Sequence, residues 1–302
     1  MADVCVIVPA KVMLSGEYAV LYGGIAALMP VARFLKISES PNADPARYTP
    51  IVRAAVDFPI EELKTFEAEH GDLSITVDDS EFFQEIDGKR RKLGLGLSAA
   101  EAVGTVAARF VRAGFTWEDK VDMIAAYAEH IHRHVQGGRG SGADVALCAL
   151  RLPMLFTRDA DSITVDILEA SKIPLPLNLV WTGVESNTRE KIDRFDEWLK
   201  SGGTDSQGKL GALIEAANDL SGKWKSDNHS DLLKAIDKFD YFITDCTLLA
   251  GIEYKLQIHK DMESWAKANG GRAKPTGAGG GDMILLVGDL PVEELDQLTI
   301  RL

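Results

Sequence analysis

The sequence predicts an α+β chain of two lobes, on three observations. Short β-branched apolar runs fill the first 40 residues. A glycine-bearing loop feeds small and apolar residues at helical spacing from Ser98, and the C-terminal part carries several long helical stretches before closing on a glycine-rich turn and a strand.

In order, Val4–Val8 ends at Pro9 and Val12–Leu14 resumes before Gly16, which reads as two strands around a bend. Ile25–Val31 and Phe34–Ser40 extend this into a β-meander. Pro41–Pro50 reads as loop, Ser74–Val77 as a strand, and the charged stretch Glu81–Lys92 as an exposed loop or a short helix. Ser98–Arg112 predicts a helix, with Ser98 placed to cap its start and Gly114 to close its end. A second helix over Glu118–His134 runs into the glycine-rich Gln136–Gly142, after which Ala143–Leu150 is apolar again. Pro174 and Pro176 suggest a break, dividing the chain into residues 1–172 and 173–302. Beyond it lie the strand-like Leu177–Thr182, helical stretches near Thr188–Lys200, Gly208–Leu220, Ser230–Phe242 and Leu256–Ala268, and the strand Met283–Val287.

The 302 residues are 46% apolar and 26% charged, ordinary for a globular protein with one large or two medium cores. Lys and Arg number 33 against 46 Asp and Glu, a net charge of -13, which disfavours nucleic acid and anionic membrane as partners. An anionic substrate must then be captured by local positive charge. Cys5, Cys148 and Cys246 are widely spaced and form no CxxC pair, so neither a disulfide framework nor a zinc site is expected and a reducing cytoplasm fits. Met1–Val4 has no basic or long apolar character, and no run of about 18 apolar residues occurs, so neither export nor a membrane span is expected. Monomer and homodimer both remain open.

Three glycine-rich segments carry the chemistry. In Gly94-Leu95-Gly96-Leu97-Ser98-Ala99-Ala100, glycines let a ligand approach the backbone and the first amides of the next helix lack intrahelical partners, which suits a polyphosphate; a tight turn closing a helix is the alternative. No Gly-Lys-Ser/Thr of a Walker loop and no third glycine of a dinucleotide fingerprint is present. In Gly138–Val145, the carboxylate of Asp144 sits among small and apolar residues, either as a base, orienting group or cation partner, or as a helix cap. Lys274–Asp282 has four glycines in five positions, which fits a backbone lying close to a ligand or another loop, or a flexible hairpin.

Together and in this order, the segments resemble the three motifs of the GHMP kinases, the galactokinase, homoserine kinase, mevalonate kinase and phosphomevalonate kinase superfamily. The first motif is similar to Pro9-Ala10-Lys11-Val12 through Ser15-Gly16-Glu17-Tyr18-Ala19-Val20, the second to Gly94–Ala100 and the third to Thr276–Gly281. Within the superfamily the phosphomevalonate kinase branch is the better resemblance. His132 and Gln136 ahead of Gly140–Val145, the element Trp181-Thr182-Gly183 with Thr188 beyond it, and Asp282 directly after the glycines carry that choice. Two departures stand out: Leu97 occupies the first of two positions that are commonly serine, and Gly138, beside Arg139, stands where a lysine is frequent.

The resemblance implies a two-lobed fold with the active site in the cleft between lobes, ATP and Mg²⁺ as cofactors, and phosphorylation of phosphomevalonate to diphosphomevalonate on the isoprenoid-precursor route. Mevalonate or another hydroxyl compound as acceptor, and a non-catalytic metabolite sensor, are the alternatives. It implies Asp144 and Lys11 as catalytic, Gly94, Leu95, Gly96, Leu97, Ser98, Ala99 and Ala100 at the nucleotide phosphates, and Ser98 at the metal. At the substrate it implies Lys11, Ser15, Glu17, Tyr18, Arg139, Ser141, Gly142, Thr188, Gly277, Ala278 and Gly279. Surface lysine for Lys11, solvated acid for Glu17 and helix capping for Thr188 remain the alternative readings.

Overall fold

A computed structural model describes residues 4–71, 73–159 and 162–302. The chain is α+β and its contacts divide it into two compact units: Met1–Lys11, Pro30–Gln84 and Gly96–Arg151 in one, Val12–Met29, Glu85–Leu95 and Leu152–Leu302 in the other. Residue 173, where the sequence suggests a break, lies inside the second unit.

β1 (Cys5–Ser15) and β2 (Ala26–Glu39) each belong partly to both units. The expected bend at Pro9 is absent, because proline's fixed φ is compatible with a strand and costs only one ladder donor. Likewise Ile25–Val31 and Phe34–Ser40 are one strand. β2 pairs with β6 (Met154–Asp159) over Ala26–Leu28 and with β3 (Ile75–Asp78) over Lys36–Glu39, and Pro30 falls between these stretches.

In the first unit, α1 (Pro50–Asp57) and α2 (Lys64–His70) precede β3, and α3 (Leu97–Arg112), α4 (Trp117–Val135) and α5 (Ala143–Leu150) follow. The helix α3 is central and almost wholly buried. Its small residues allow this: a Cβ on Gly104 would come within 2.9 Å of both Ile37 and Val8 side-chain atoms, so glycine sets the depth at which the helix meets the strands. Arg109, buried on the same helix, is held by both Glu67 oxygens at 2.8 and 2.9 Å and by the carbonyls of Ala55 and Phe58, which compensates the burial of its charge. Thr116 caps α4, and the indole of Trp117 donates to Ala149 O at 2.9 Å, fixing α4 against α5.

The second unit contains β6 and β7 (Ser162–Ile167) and a four-stranded sheet in the order β11 (Thr299–Arg301), β8 (Leu177–Trp181), β10 (Met283–Val287), β9 (Arg272–Pro275). Its helices are α6 (Thr188–Ser201), α7 (Gly203–Lys223), α8 (His229–Leu249) and α9 (Gln257–Ala268). Val180, Ile284 and Leu286 of the sheet pack with Ala266 and Trp265 of α9 in one apolar cluster. Residues 81–92, expected as loop or short helix, instead include a two-stranded ribbon, β4 (Phe83–Ile86) and β5 (Lys89–Lys92). The turn Asp87-Gly88 has φ of 51° and 68°, the mirror-type geometry that an Asp-Gly pair favours in a hairpin. No helix among the described residues is long and apolar enough to cross a membrane.

Candidate active site

In the first unit, β1 delivers Lys11, and the start of α5 delivers Asp144. Lys11 Nζ lies 3.0 Å from Asp144 Oδ2, with side chains 11% and 36% exposed, so the pair is both tied together and reachable. Asp144 is not the cap of α5. Gly142, at φ 83°, holds the cap position, and Ser141 Oγ accepts from the Ala143 amide at 3.2 Å. The carboxylate is therefore left to pair with Lys11.

The Lys11 stem crosses Gly96: a Cβ there would stand 2.6 Å from Lys11 Cε. Gly96, at φ 83°, is also the N-cap of α3 and supplies no side-chain cap. Its carbonyl takes the amides of Ala99 and Ala100 at 3.1 Å, while the earlier amides of the helix, at Leu97 and Ser98, belong to the positive end of the helix dipole. The chain thus brings an ammonium and uncapped amides to one place. Ser98, expected as the cap, is inside the helix, and its hydroxyl lies 3.1 Å from His132 Nε2 of α4. Burial holds His132 below its ordinary value, opposed by Asp144 and assisted by Lys11. A neutral imidazole at that nitrogen can accept the Ser98 proton and leave the serine oxygen's lone pairs outward. Leu97 is buried, so this departure from a serine pattern places an apolar anchor at the first helical position. One turn beyond Asp144, the Cys148 thiol is pushed up, first by burial and then by Asp144; it donates to Pro9 O. Arg139 is exposed on the loop before α5.

In the second unit, the glycine-rich turn between β9 and β10 has a packing reason at three of its glycines. A Cβ would stand 2.2 Å from the Tyr254 ring at Gly279, 2.3 Å from Lys191 Nζ at Gly280 and 2.7 Å from Val184 O at Gly281. Gly277 has open space around it but a φ of 63°. Close approach to neighbouring segments accounts for the run. Tyr18 OH donates to Ala278 O at 3.0 Å, and burial pushes its phenol up, with Glu17 adding to this, so the donor proton is retained.

Glu17 and Ser15 are not open to solvent. Glu17 forms an ion pair with Lys274, both side chains essentially fully buried, and Lys274 also donates to Pro275 O at 2.8 Å. Ser15 is buried against Ser221 Oγ and the Trp224 indole, which donates to it at 3.0 Å. Thr188 opens α6 but does not cap it; Asn187 does, accepting the Glu190 amide. Trp181-Thr182-Gly183 and Asp282 meet: Thr182 N donates to Asp282 O at 2.9 Å, and Asp282 N to Val184 O at 2.7 Å. Gly94 packs on the same aspartate, since a Cβ there would stand 2.2 Å from Asp282 Cγ. Lys274 and Lys191 escape sequence reading. A signal existed for Lys274, a charge abutting a glycine-rich turn and a buried strand, but none for Lys191 on a polar helix.

Neither a protein-family model nor a curated protein matches the sequence. Solved structures do match in fold. A protein from Listeria innocua is 20% identical with a TM-score of 0.78, over 98% of this chain and 97% of its own. The phosphomevalonate kinase of Streptococcus pneumoniae, in complex with phosphomevalonate and AMPPNP, is 16% identical with a TM-score of 0.76, over 99% of both chains. The mevalonate kinase of Methanococcus jannaschii is 15% identical with a TM-score of 0.72, over 99% of this chain and 98% of its own. With similarity running end to end, the chain has the fold of the GHMP kinase structures.

Proposed function

We propose that this protein is an ATP-dependent small-molecule kinase whose acceptor is phosphomevalonate. The observation that carries the kinase part of the reading is the Lys11–Asp144 pair, with the Lys11 stem lying on Gly96 at the uncapped start of α3; the acceptor rests on the resemblance at Gly140–Val145, Trp181–Gly183 and Asp282 and on the fold shared with a phosphomevalonate kinase. Phosphoryl transfer needs chiefly positioning and charge stabilisation, and these groups supply both.

The nucleotide phosphates would lie along Gly94–Ala100, on the amides that open α3. The Lys11 ammonium would offset charge on the transferred phosphoryl group. Asp144 would orient the acceptor oxygen or accept its proton while the new O–P bond forms, the γ-phosphorus–oxygen bond breaks and ADP leaves. Among the described residues no group of three or more His, Cys, Asp and Glu converges as a metal cage. Mg²⁺ carried by the nucleotide would be held by phosphate oxygens and the Ser98 hydroxyl, whose proton His132 can accept, and would neutralise phosphate charge.

Asp144 favours a second reading. A phosphate monoester is largely a dianion at neutral pH, with a second pKa of about 6, and needs no base, whereas the hydroxyl of mevalonate does. Coupled ADP release with ATP and Mg²⁺, run in parallel on mevalonate and phosphomevalonate, decides between them. Turnover on phosphomevalonate alone is the expected result; turnover on mevalonate alone moves the enzyme one step back, and absence of ADP with both refutes both acceptors and favours another hydroxyl compound or the non-catalytic sensor.

A further inference from the structure

Lys191, on the first turn of α6, lies across the glycine-rich turn. Its ammonium donates to Ser186 Oγ at 2.7 Å and to Gly279 O, and its stem closes over Gly280. Ser186 is itself doubly held: its hydroxyl donates to Gly279 O at 2.6 Å and its amide to Asp282 Oδ1 at 3.1 Å. Both acceptors of Lys191 are neutral, and among the described residues no carboxylate stands within ion-pair distance of it. A half-buried cation ordinarily sits against a carboxylate, as Lys255 does between Asp240 and Glu263 elsewhere in this unit. Burial lowers the Lys191 ammonium from its ordinary value, against the pull of Asp282, Glu190 and Glu253. The charge is thus partly desolvated and incompletely compensated.

We propose that Lys191 is a specificity-determining residue that binds an oxyanion of the acceptor, a phosphate or carboxylate group presented to the glycine-rich turn. The inference rests on the kinase reading for the identity of the acceptor, and it adds the charge that reading lacks. In a chain of net charge -13, such a cation gives an anionic acceptor a local place to dock and leaves a neutral sugar or alcohol without one. The Ser186 and Gly279 contacts fix the ammonium in advance, so little side-chain freedom is lost on binding.

Lys191→Gln tests this, because an amide can still donate to Gly279 O and Ser186 Oγ while lacking the charge. The acceptor KM should rise about 10-fold or more with kcat within about 2-fold and the melting temperature unchanged, and Lys191→Arg should restore most of the affinity. Mevalonate as a competitive inhibitor against phosphomevalonate separates the two groups: an inhibition constant unchanged in Lys191→Gln assigns the phosphate, and one that rises in step with the KM assigns the carboxylate. An unchanged KM, or a loss confined to stability, overturns the inference. Inorganic phosphate titrated calorimetrically into nucleotide-free protein supplies a readout without turnover. Acetate titrated in the same way stands for the carboxylate; wild-type binding of either anion that weakens in Lys191→Gln supports the oxyanion site, and equal binding of both, or binding of neither by the wild type, overturns it. Failure of both acceptors is seen separately, as absence of ADP from the wild type.

Discussion

Two lysine–acid pairs in this protein have the same chemistry and different surroundings. Lys11–Asp144 stands partly open, with a carboxylate 36% exposed, beside the uncapped start of α3. Lys274–Glu17 is 0% and 1% exposed, under the glycine-rich turn and near the Phe239 ring. The difference teaches that burial, not residue type, assigns the role. An open pair can exchange its partner for a substrate; a sealed pair cannot, and instead ties the Gly16–Tyr18 segment to the strand that leads into the turn.

The largest effect that could break this comparison is kinetic. Asp144→Asn should lower kcat about 10²- to 10⁴-fold on a hydroxyl acceptor, and less on a phosphate acceptor, without a change in melting temperature. The converse applies to the sealed pair. Lys274→Met leaves Glu17 buried without its cation and should cost about 3–5 kcal/mol in urea unfolding, while Glu17→Leu with Lys274→Met recovers most of it. Lys11→Met, in the open pair, should cost under about 1 kcal/mol of stability. Equal stability losses at Lys11 and Lys274 would remove the distinction.

A smaller effect sharpens the account of the turn. Gly279→Ala meets the Tyr254 ring and also carries the strain of a φ of 71°, about 2–5 kcal/mol together, whereas Gly277→Ala meets open space and carries only the strain of positive φ, roughly 1–2 kcal/mol. Acceptor KM should respond to both, since both alter the turn's backbone. A further effect is a pH slope. Burial, with Lys255 and Lys191 assisting, lowers His259 to about 4, and its Nδ1 accepts the Leu256 amide at 3.0 Å. The unfolded chain then binds a proton that the folded one refuses. Stability should fall as pH drops from about 6.5 towards 4 and level off below, and His259→Gln should flatten that decline in pH-dependent thermal unfolding.

Much of the local structure is legible in the sequence. The helices over Leu97–Arg112, Trp117–Val135 and Gln257–Ala268 and the strands Leu177–Trp181 and Met283–Val287 match their apolar periodicities closely, because one face or both faces of each are buried. Proline misleads at Pro9, where a long strand tolerates it. The Asp87-Gly88 hairpin is hidden by the charge of Lys89–Lys92, since its strands are mostly exposed and show no apolar face. Of the candidate site, Lys11, Gly96, Ser98 and Asp144 are visible as residues, and their mutual distances are not.

By itself the sequence determined the types of most of the apolar helices and strands, the three glycine-marked segments in order, and the presence of a lysine and an aspartate near two of them, because backbone preference and apolar period are local properties. Only the tertiary structure decided which lysine is open and which is sealed, that Ser98 faces His132 and is not a cap, and that Lys191 crosses the glycine-rich turn onto Ser186 Oγ and Gly279 O. Burial and ion pairing depend on segments far apart in the chain, as with the separation of 257 positions from Glu17 to Lys274, and no local pattern encodes them.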